Sequence, residues 1–122
     1  MGKLTGSVGK LGEDIANDYL EKLGYKIIEE NFRCKIGEID LIAIDGGLIV
    51  FVEVKSRFSN SYGFPGEAVS FSKRQKIYKI AQFYISKNKL FNVNCRFDVI
   101  EIFFNGVKDT YKVNLIKDAF QS

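Results

Sequence analysis

The chain has no histidine, no tryptophan, one proline and two cysteines among its 122 residues. Without histidine, Ser-His-Asp and Cys-His nucleophile systems are excluded, and so are most transition-metal sites. Cys34 and Cys95 lie too far apart in sequence for a CxxC zinc half-site. We expect both to be reduced, buried thiols. Any catalysis must therefore use carboxylates, lysine, arginine, tyrosine or a hard metal ion.

Long apolar segments are also missing. The longest uninterrupted run, Leu48 to Val52, has five residues, whereas a membrane-spanning helix needs about 20. The first ten residues lack the apolar stretch of a secretory signal. We therefore expect a cytoplasmic protein with no membrane partner, and a chain of 122 residues predicts one domain.

The net charge of +3 is distributed unevenly along the chain. Residues 55–97 carry nine basic side chains and one acidic side chain, whereas residues 1–54 carry six basic and ten acidic. The basic segment is a candidate surface for a polyanion. A solvated, lysine-rich helix face explains the same charge equally well.

The spacing of apolar residues predicts helices and strands in alternation. In chain order they are a helix at 7–23, strands at 25–28, 37–44 and 48–56, a helix at 72–88, strands at 97–104 and 107–113, and a short helix at 115–120. Ser72 and Gln75 resemble a capping box for the second helix, and residues 57–71 form a loop that we expect to be mobile. This order predicts an α/β fold, a mixed β-sheet flanked by helices.

Asp45-Gly46-Gly47-Leu48 predicts a hairpin with a two-residue turn, because both glycines accept a positive φ. In that register Asp40 faces Glu53, and Glu38 faces Lys55. The opposite face of the hairpin is wholly apolar and is predicted to be core: Ile39, Leu41, Ala43, Val50, Val52 and Val54. Facing acids destabilise a sheet, so the pair requires an explanation.

A hard divalent cation, Mg²⁺ or Mn²⁺, bound by Asp40 and Glu53, would remove this repulsion. Lys55 would then lie beside the metal, placed to stabilise charge or to orient a water molecule. The tripeptide Glu-x-Lys is uninformative by itself, because a chain of this composition contains it about once by chance. The predicted pairing with Asp40 carries the information, and a surface salt-bridge cluster is the alternative.

The same residues carry a family resemblance. Gly37-Glu38-Ile39-Asp40-Leu41-Ile42-Ala43, Phe51-Val52-Glu53-Val54-Lys55-Ser56-Arg57 and Tyr62-Gly63 resemble the YraN family, which is similar to Holliday-junction resolvases of the PD-(D/E)xK nuclease superfamily. The resemblance extends from Gly9 to Ile100. It implies a restriction-endonuclease-like fold, with one nuclease-like domain over residues 1–122, and a metal-dependent endonuclease. The rival hypothesis is a nucleic-acid-binding module that keeps the fold without cleaving.

The resemblance also implies residue roles. Asp40 and Glu53 would be metal ligands, Lys55 the catalytic lysine and Glu13 an additional catalytic acid. Glu13 is equally well explained as an acid that the helix dipole favours near a helix N-terminus. Glu38 is interpreted as a strand-end charge rather than a supporting acid. Ile39 replaces the proline of the superfamily motif.

The expected partner is nucleic acid, with DNA as the first choice, and resolvase relatives imply a homodimer. No base-reading element is recognisable, so we expect contacts with backbone and shape. The alternative for every candidate contact is an ordinary surface charge, and Lys73 is the best placed to approach the carboxylates. The candidate phosphate contacts are Arg33, Arg57, Lys73, Arg74 and Lys76, and the candidate sugar or base contacts are Tyr62 and Phe64.

Overall fold

The computed structural model describes residues 2–58, 69–105 and 110–121, with side chains from residue 9 onward. Its elements are α1 (Gly2–Lys22), β1 (Lys26–Cys34), β2 (Gly37–Asp45), β3 (Leu48–Phe58), α2 (Phe71–Lys87), β4 (Asn94–Phe104) and β5 (Tyr111–Ile116). The strands form one sheet in the order β1-β2-β3-β4-β5, and only β3 and β4 are parallel. The predicted α/β fold is confirmed, and the architecture is consistent with a restriction-endonuclease-like fold.

The two helices cover opposite faces of this sheet. Val50 and Val52 pack with Leu20 of α1 in one buried cluster. Phe51, between them on β3, packs with Ile80 of α2 in the other. Alternate side chains of one strand therefore fill two separate cores, as the pleat requires. The predicted buried face of α2 is confirmed in full: Ile77, Ile80, Ala81 and Tyr84.

Local features fix where the helices meet the sheet. A side chain at Gly12 would collide with Oγ of Ser56, so α1 passes very close to β3 at this point and brings its neighbour Glu13 to the sheet. Gly24 has φ 99° and follows α1, as predicted for a helix stop. The cap of α2 was predicted wrongly. Ser70 is the N-cap, and its side chain accepts a hydrogen bond from the backbone N–H of Lys73.

Two further predictions are wrong. The closing helix at 115–120 is absent, because Leu115 and Ile116 belong to β5 and pair with β4. Phe120 follows as a buried side chain stacked on Phe97, with ring centroids 5.4 Å apart. Cys34 and Cys95 are both free thiols, but neither is buried as predicted. Cys34 is half-buried against the α2 cluster, and Cys95 is exposed because it lies at the start of β4, outside both cores.

The predicted loop and second hairpin are described only in part. Residues 57 and 58 belong to β3, and residues 59–68 lie outside the described residues. Antiparallel pairing of β4 with β5 is confirmed from Val99↔Ile116 to Phe104↔Tyr111. The second strand is wrong in its bounds, because β5 covers residues 111–116 and not 107–113, and residues 106–109 are not described. In the described chain, neither helix combines the length and the apolarity needed to cross a membrane.

Candidate active site

The carboxylate site lies where β2 and β3 stop pairing. The predicted register is confirmed from Asp45↔Leu48 to Leu41↔Val52, and Gly46 has φ 64° in the turn. The ladder ends there, while β2 stays paired with β1 and β3 stays paired with β4. The sheet therefore forks. Asp40 and Glu53 are the first residues beyond the fork, so they are not a ladder pair.

The alternation of faces on β2 breaks at Asp40. Ile39 packs in the α2 cluster, whereas Leu41 packs in the α1 cluster, so the prediction that both share one face is wrong. The physical reason lies on β1. Asn31 is between the partners of Ile39 and Leu41 and has φ 53°, a left-handed conformation that interrupts regular strand geometry. Asp40 is thereby placed at the fork instead of on a flat sheet face.

A backbone hydrogen bond holds the Asp40 carboxylate. The N–H of Val54 donates to Oδ2 of Asp40 at 2.8 Å. Burial, and then the nearby charges of Glu53 and Glu13, raise the pKa of Asp40 to about 7, although the Val54 hydrogen bond and Lys73 act in the opposite direction. Burial and the neighbouring acids therefore act together to disfavour the ionised form of Asp40.

Three carboxylates converge from α1 and β2. One oxygen each from Glu13, Glu38 and Asp40 lie within 4.8 Å of one another. Oε1 of Glu13 accepts a hydrogen bond from Nδ2 of Asn31 at 3.3 Å. Oε1 of Glu38 accepts one from Nε of Arg33 at 3.0 Å. Glu38 is therefore in the cluster, whereas the sequence favoured an isolated strand-end charge. Converging carboxylate oxygens are the ligand type that hard divalent cations prefer.

Glu53 is held by two lysines. Its side chain is 7% exposed, and Oε2 lies 3.7 Å from Nζ of Lys55. Nζ of Lys73 forms an ion pair with the same oxygen. This ion pair confirms that Lys73, in the first turn of α2, is well placed to approach the carboxylates. Glu53 is near enough to raise the pKa of Asp40, but it is not part of the Glu13, Glu38 and Asp40 group.

The predicted phosphate contacts of β1 and β3 are engaged within the protein. Arg33, 75% exposed, forms the ion pair with Glu38. Nε of Arg57 donates to Oε2 of the fully buried Glu101 at 3.2 Å. Nδ2 of Asn114 donates to the other oxygen of Glu101 at 2.8 Å. These contacts favour a structural role for Arg57, tying β3 to β4 and β5, over the predicted phosphate contact.

The predicted contacts of α2 lie at its positively charged start. Arg74 is half-buried, with its guanidinium carbon 5.9 Å from the ring centroid of Phe71. Lys76 is exposed. Tyr62 and Phe64 fall outside the described residues. The structure thus places Lys73 in the carboxylate site and leaves Lys76 at the surface.

Sequence reasoning missed a buried polar network around Asp98, which is the β4 partner of Val52. Asp98 is fully buried and accepts hydrogen bonds from the hydroxyl of Tyr25 and from Nε of Arg96, both at 2.8 Å. A terminal nitrogen of Arg96 also donates to Oδ2 of Asp45 at 2.9 Å. Burial and the bond to Asp98 raise the pKa of Tyr25. The available signal was two acids, Asp98 and Glu101, within the otherwise apolar residues 97–104 of β4. The hydrogen bonds of Asp98 favour a structural role for this network.

Fold and site together define an α/β protein whose mixed sheet forks around a cluster of carboxylates and lysines. The chain belongs to the uncharacterised protein family UPF0102, whose family model matches residues 12–102. It is 57% identical over 114 residues to a UPF0102 protein of Clostridium kluyveri, covering 93% of each chain. It is 54% identical over 121 residues to one of Clostridium tetani, covering 99% of each. A third, from Clostridium botulinum strain Kyoto, is 55% identical over 115 residues, with 93% and 94% covered.

The family match includes the whole site. Glu13, Asp40, Glu53, Lys55 and Lys73 all lie within residues 12–102. UPF0102 is the YraN family, so the family resemblance seen in the sequence is confirmed.

Proposed function

We propose that this protein is a metal-dependent endonuclease that hydrolyses phosphodiester bonds of nucleic acid, with DNA as the expected substrate. The observation that supports it best is the convergence of carboxylates at the fork of the sheet, with Lys55 beside them. A fold selected only for stability would not gather like charges in a half-buried place. Acids and a lysine around a cation are, by contrast, suited to phosphoryl chemistry.

The residues fit a divalent cation such as Mg²⁺ or Mn²⁺. Asp40 and Glu53 are the proposed ligands, and the geometry adds Glu13 and Glu38 as candidates. Burial, and then the charges of Glu53 and Glu13, disfavour the ionised form of Asp40 and raise its pKa, and a bound cation would stabilise that ionised form. When bound, such an ion supplies Lewis-acid activation of the phosphate and of an attacking water.

The other side chains have their own roles in this proposal. The Val54 N–H orients the Asp40 carboxylate. Lys55, whose side chain is 30% exposed, can reach both solvent and Glu53. Its ammonium group is placed to stabilise the charge that develops on the phosphate oxygens in the transition state.

A non-cleaving nucleic-acid-binding module is the second candidate. It is favoured by one observation: Glu53 pairs with both Lys55 and Lys73, so its charge is compensated within the protein. The basic start of α2 would then serve only to contact phosphates, which position a nucleic acid without reading its sequence. Cleavage separates the two candidates.

The test is a cleavage panel of duplex, flap, four-way junction and single-stranded substrates with Mg²⁺ or Mn²⁺, and with EDTA as the blank. We expect metal-dependent cleavage that Asp40→Asn and Glu53→Gln each abolish. Glu21→Gln, an exposed acid near the end of α1, is the matched control and should cleave normally. Absence of cleavage on all substrates, with binding retained, would favour the binding module. Calorimetry adds a second criterion, since unchanged metal binding in the Asp40→Asn/Glu53→Gln double variant excludes this site.

A further inference from the structure

Glu53 uses a single carboxylate oxygen for both of its cationic partners. Nζ of Lys73 and Nζ of Lys55 both approach Oε2, and Lys73 makes the closer contact. The Glu53 side chain is only 7% exposed, whereas that of Lys73 is 45% exposed. The carboxylate is therefore fixed in the protein, and the lysine that pairs with it can leave toward solvent.

The position of Lys73 in α2 is electrostatically unfavourable without this partner. The first turn of α2 contains no acid, and a cation at a helix N-terminus opposes the helix dipole. Lys73 lies in this turn, and its Nζ pairs with Oε2 of Glu53, an acid that β3 supplies. The ion pair with Glu53 therefore stabilises Lys73 at a helix end where the dipole alone disfavours a cation.

We infer that Lys73 is a positioning residue that pairs with Glu53 until the divalent cation binds. When the cation binds Glu53, Lys73 leaves this carboxylate and contacts a substrate phosphate instead. This inference rests on the proposed function. A close ammonium partner on Oε2 competes with a metal ion for this carboxylate, because two cations at one nearly buried oxygen repel each other. The released ammonium group remains on a flexible stem within reach of the site, where a phosphate can accept its hydrogen bonds.

Competition for Glu53 predicts opposite effects of one substitution. Lys73→Met removes the competing cation, so the protein should bind Mn²⁺ at least tenfold more tightly, about 1.4 kcal/mol. The same variant should bind nucleic acid more weakly, because a phosphate contact is lost. Lys73→Arg keeps a competing cation and should bind Mn²⁺ within about threefold of wild type.

The experiment is a calorimetric titration of Mn²⁺ into the full chain without nucleic acid. Wild type, Lys73→Met and Lys73→Arg are compared with Lys79→Met, an exposed lysine on the same helix whose loss changes the net charge equally. Lys79→Met should bind Mn²⁺ like wild type, which separates competition at Glu53 from a general charge effect.

The unsubstituted protein provides an independent readout that does not depend on the folding of Lys73→Met. Reciprocity requires that if Lys73 hinders the cation, the cation must release Lys73. Reductive methylation followed by peptide mass spectrometry should therefore show Lys73 modified several-fold faster with Mn²⁺ present. Lys79 should react at the same rate in both conditions.

The outcomes separate this inference from the proposed function. Equal Mn²⁺ affinity in wild type and Lys73→Met, or Lys73 labelling that Mn²⁺ leaves unchanged, overturns the inference while the metal site stands. No Mn²⁺ binding in any variant overturns both. Binding that appears only in Lys73→Met supports both, since it shows a site that the lysine blocks.

Discussion

The backbone N–H of Val54 donates a hydrogen bond of 2.8 Å to Oδ2 of Asp40, immediately beyond the last pair of the β2–β3 ladder, Leu41 and Val52. A side-chain acceptor is thus used where the regular ladder would supply a backbone carbonyl. The bond joins the two arms of the fork. It also keeps the Asp40 carboxylate half-buried and close to Glu53. Burial, and then the charge of Glu53, raise the pKa of Asp40.

This pKa predicts how the metal-free protein responds to pH. The ordinary pKa of Asp40 is 3.8, and in the folded protein it is about 7. The folded state therefore binds the Asp40 proton more tightly than the unfolded state does. The contribution of this proton to the free energy of unfolding is complete below about pH 4 and is lost as the pH rises through about 7. Thermal unfolding in EDTA at several pH values should show the midpoint falling across this interval.

Asp40→Asn should remove most of this fall, because asparagine does not titrate. Asp18→Asn, an exposed acid on α1, is the matched control and should keep it. Equal pH profiles for Asp40→Asn and wild type would show that the Asp40 carboxyl does not titrate in this interval.

Lys55→Ala should separate binding from catalysis. Because the proposed contact forms in the transition state, its loss should reduce single-turnover cleavage by about 100-fold while affinity changes little. Glu53 keeps Lys73 as a partner, so the fold should be preserved. Fluorescence anisotropy measures the affinity for nucleic acid, and thermal unfolding measures whether the fold is preserved. Lys112→Ala, at an exposed lysine of β5, is the reference variant. Parallel losses of affinity and cleavage would make Lys55 a simple phosphate contact.

Asp98→Asn should destabilise the protein without any effect on charge at the fork. Asp98 is fully buried and accepts from Tyr25, from Arg96 and from the backbone N–H of Asp118. Removing its charge leaves Arg96 without its closest carboxylate, and breaking a buried pair costs roughly 3 kcal/mol or more. Urea denaturation measures the loss.

Asp118→Asn is the control for this network. Its side chain is exposed and φ is 54°, a conformation that asparagine tolerates well. Its effect should stay within about 0.5 kcal/mol, as for most surface changes. A loss at Asp98 no larger than this would show that the buried pair contributes little.

Local chemistry explains what the sequence predicted correctly. The turn at Gly46 and Gly47 fixed the hairpin register, because a two-residue turn leaves only one pairing of its flanking strands. The helical spacing of Ile77, Ile80 and Tyr84 likewise predicted the buried face of α2. Both depend only on neighbours in the chain.

The errors arose where distant segments decide the local structure. Ile39 changed face because Asn31, on another strand, has a left-handed backbone. Leu115 and Ile116 satisfy helical spacing, but pairing with β4 gives them strand structure. Asp40 was found from its spacing, whereas the ion pair of Lys73 with Glu53 depends on where α2 begins relative to the fork.

Arg74 and Lys76, which follow Lys73 in α2, test whether nucleic acid crosses this surface. Since Lys73 pairs with Glu53, neutralising only the other two leaves the carboxylate site unchanged. Arg74→Gln/Lys76→Gln should weaken binding for all sequences and reduce the slope of log K against log salt by roughly one to two, because each lost phosphate contact releases about one counterion fewer. Base preference should not change. Anisotropy titrations at several KCl concentrations measure the slope. Lys22→Gln/Lys26→Gln, at two exposed lysines that end α1 and begin β1, is the charge-matched control. A wild-type slope in the α2 double variant would mean that the phosphate backbone contacts neither Arg74 nor Lys76, because no loss of phosphate contacts can leave the counterion count unchanged.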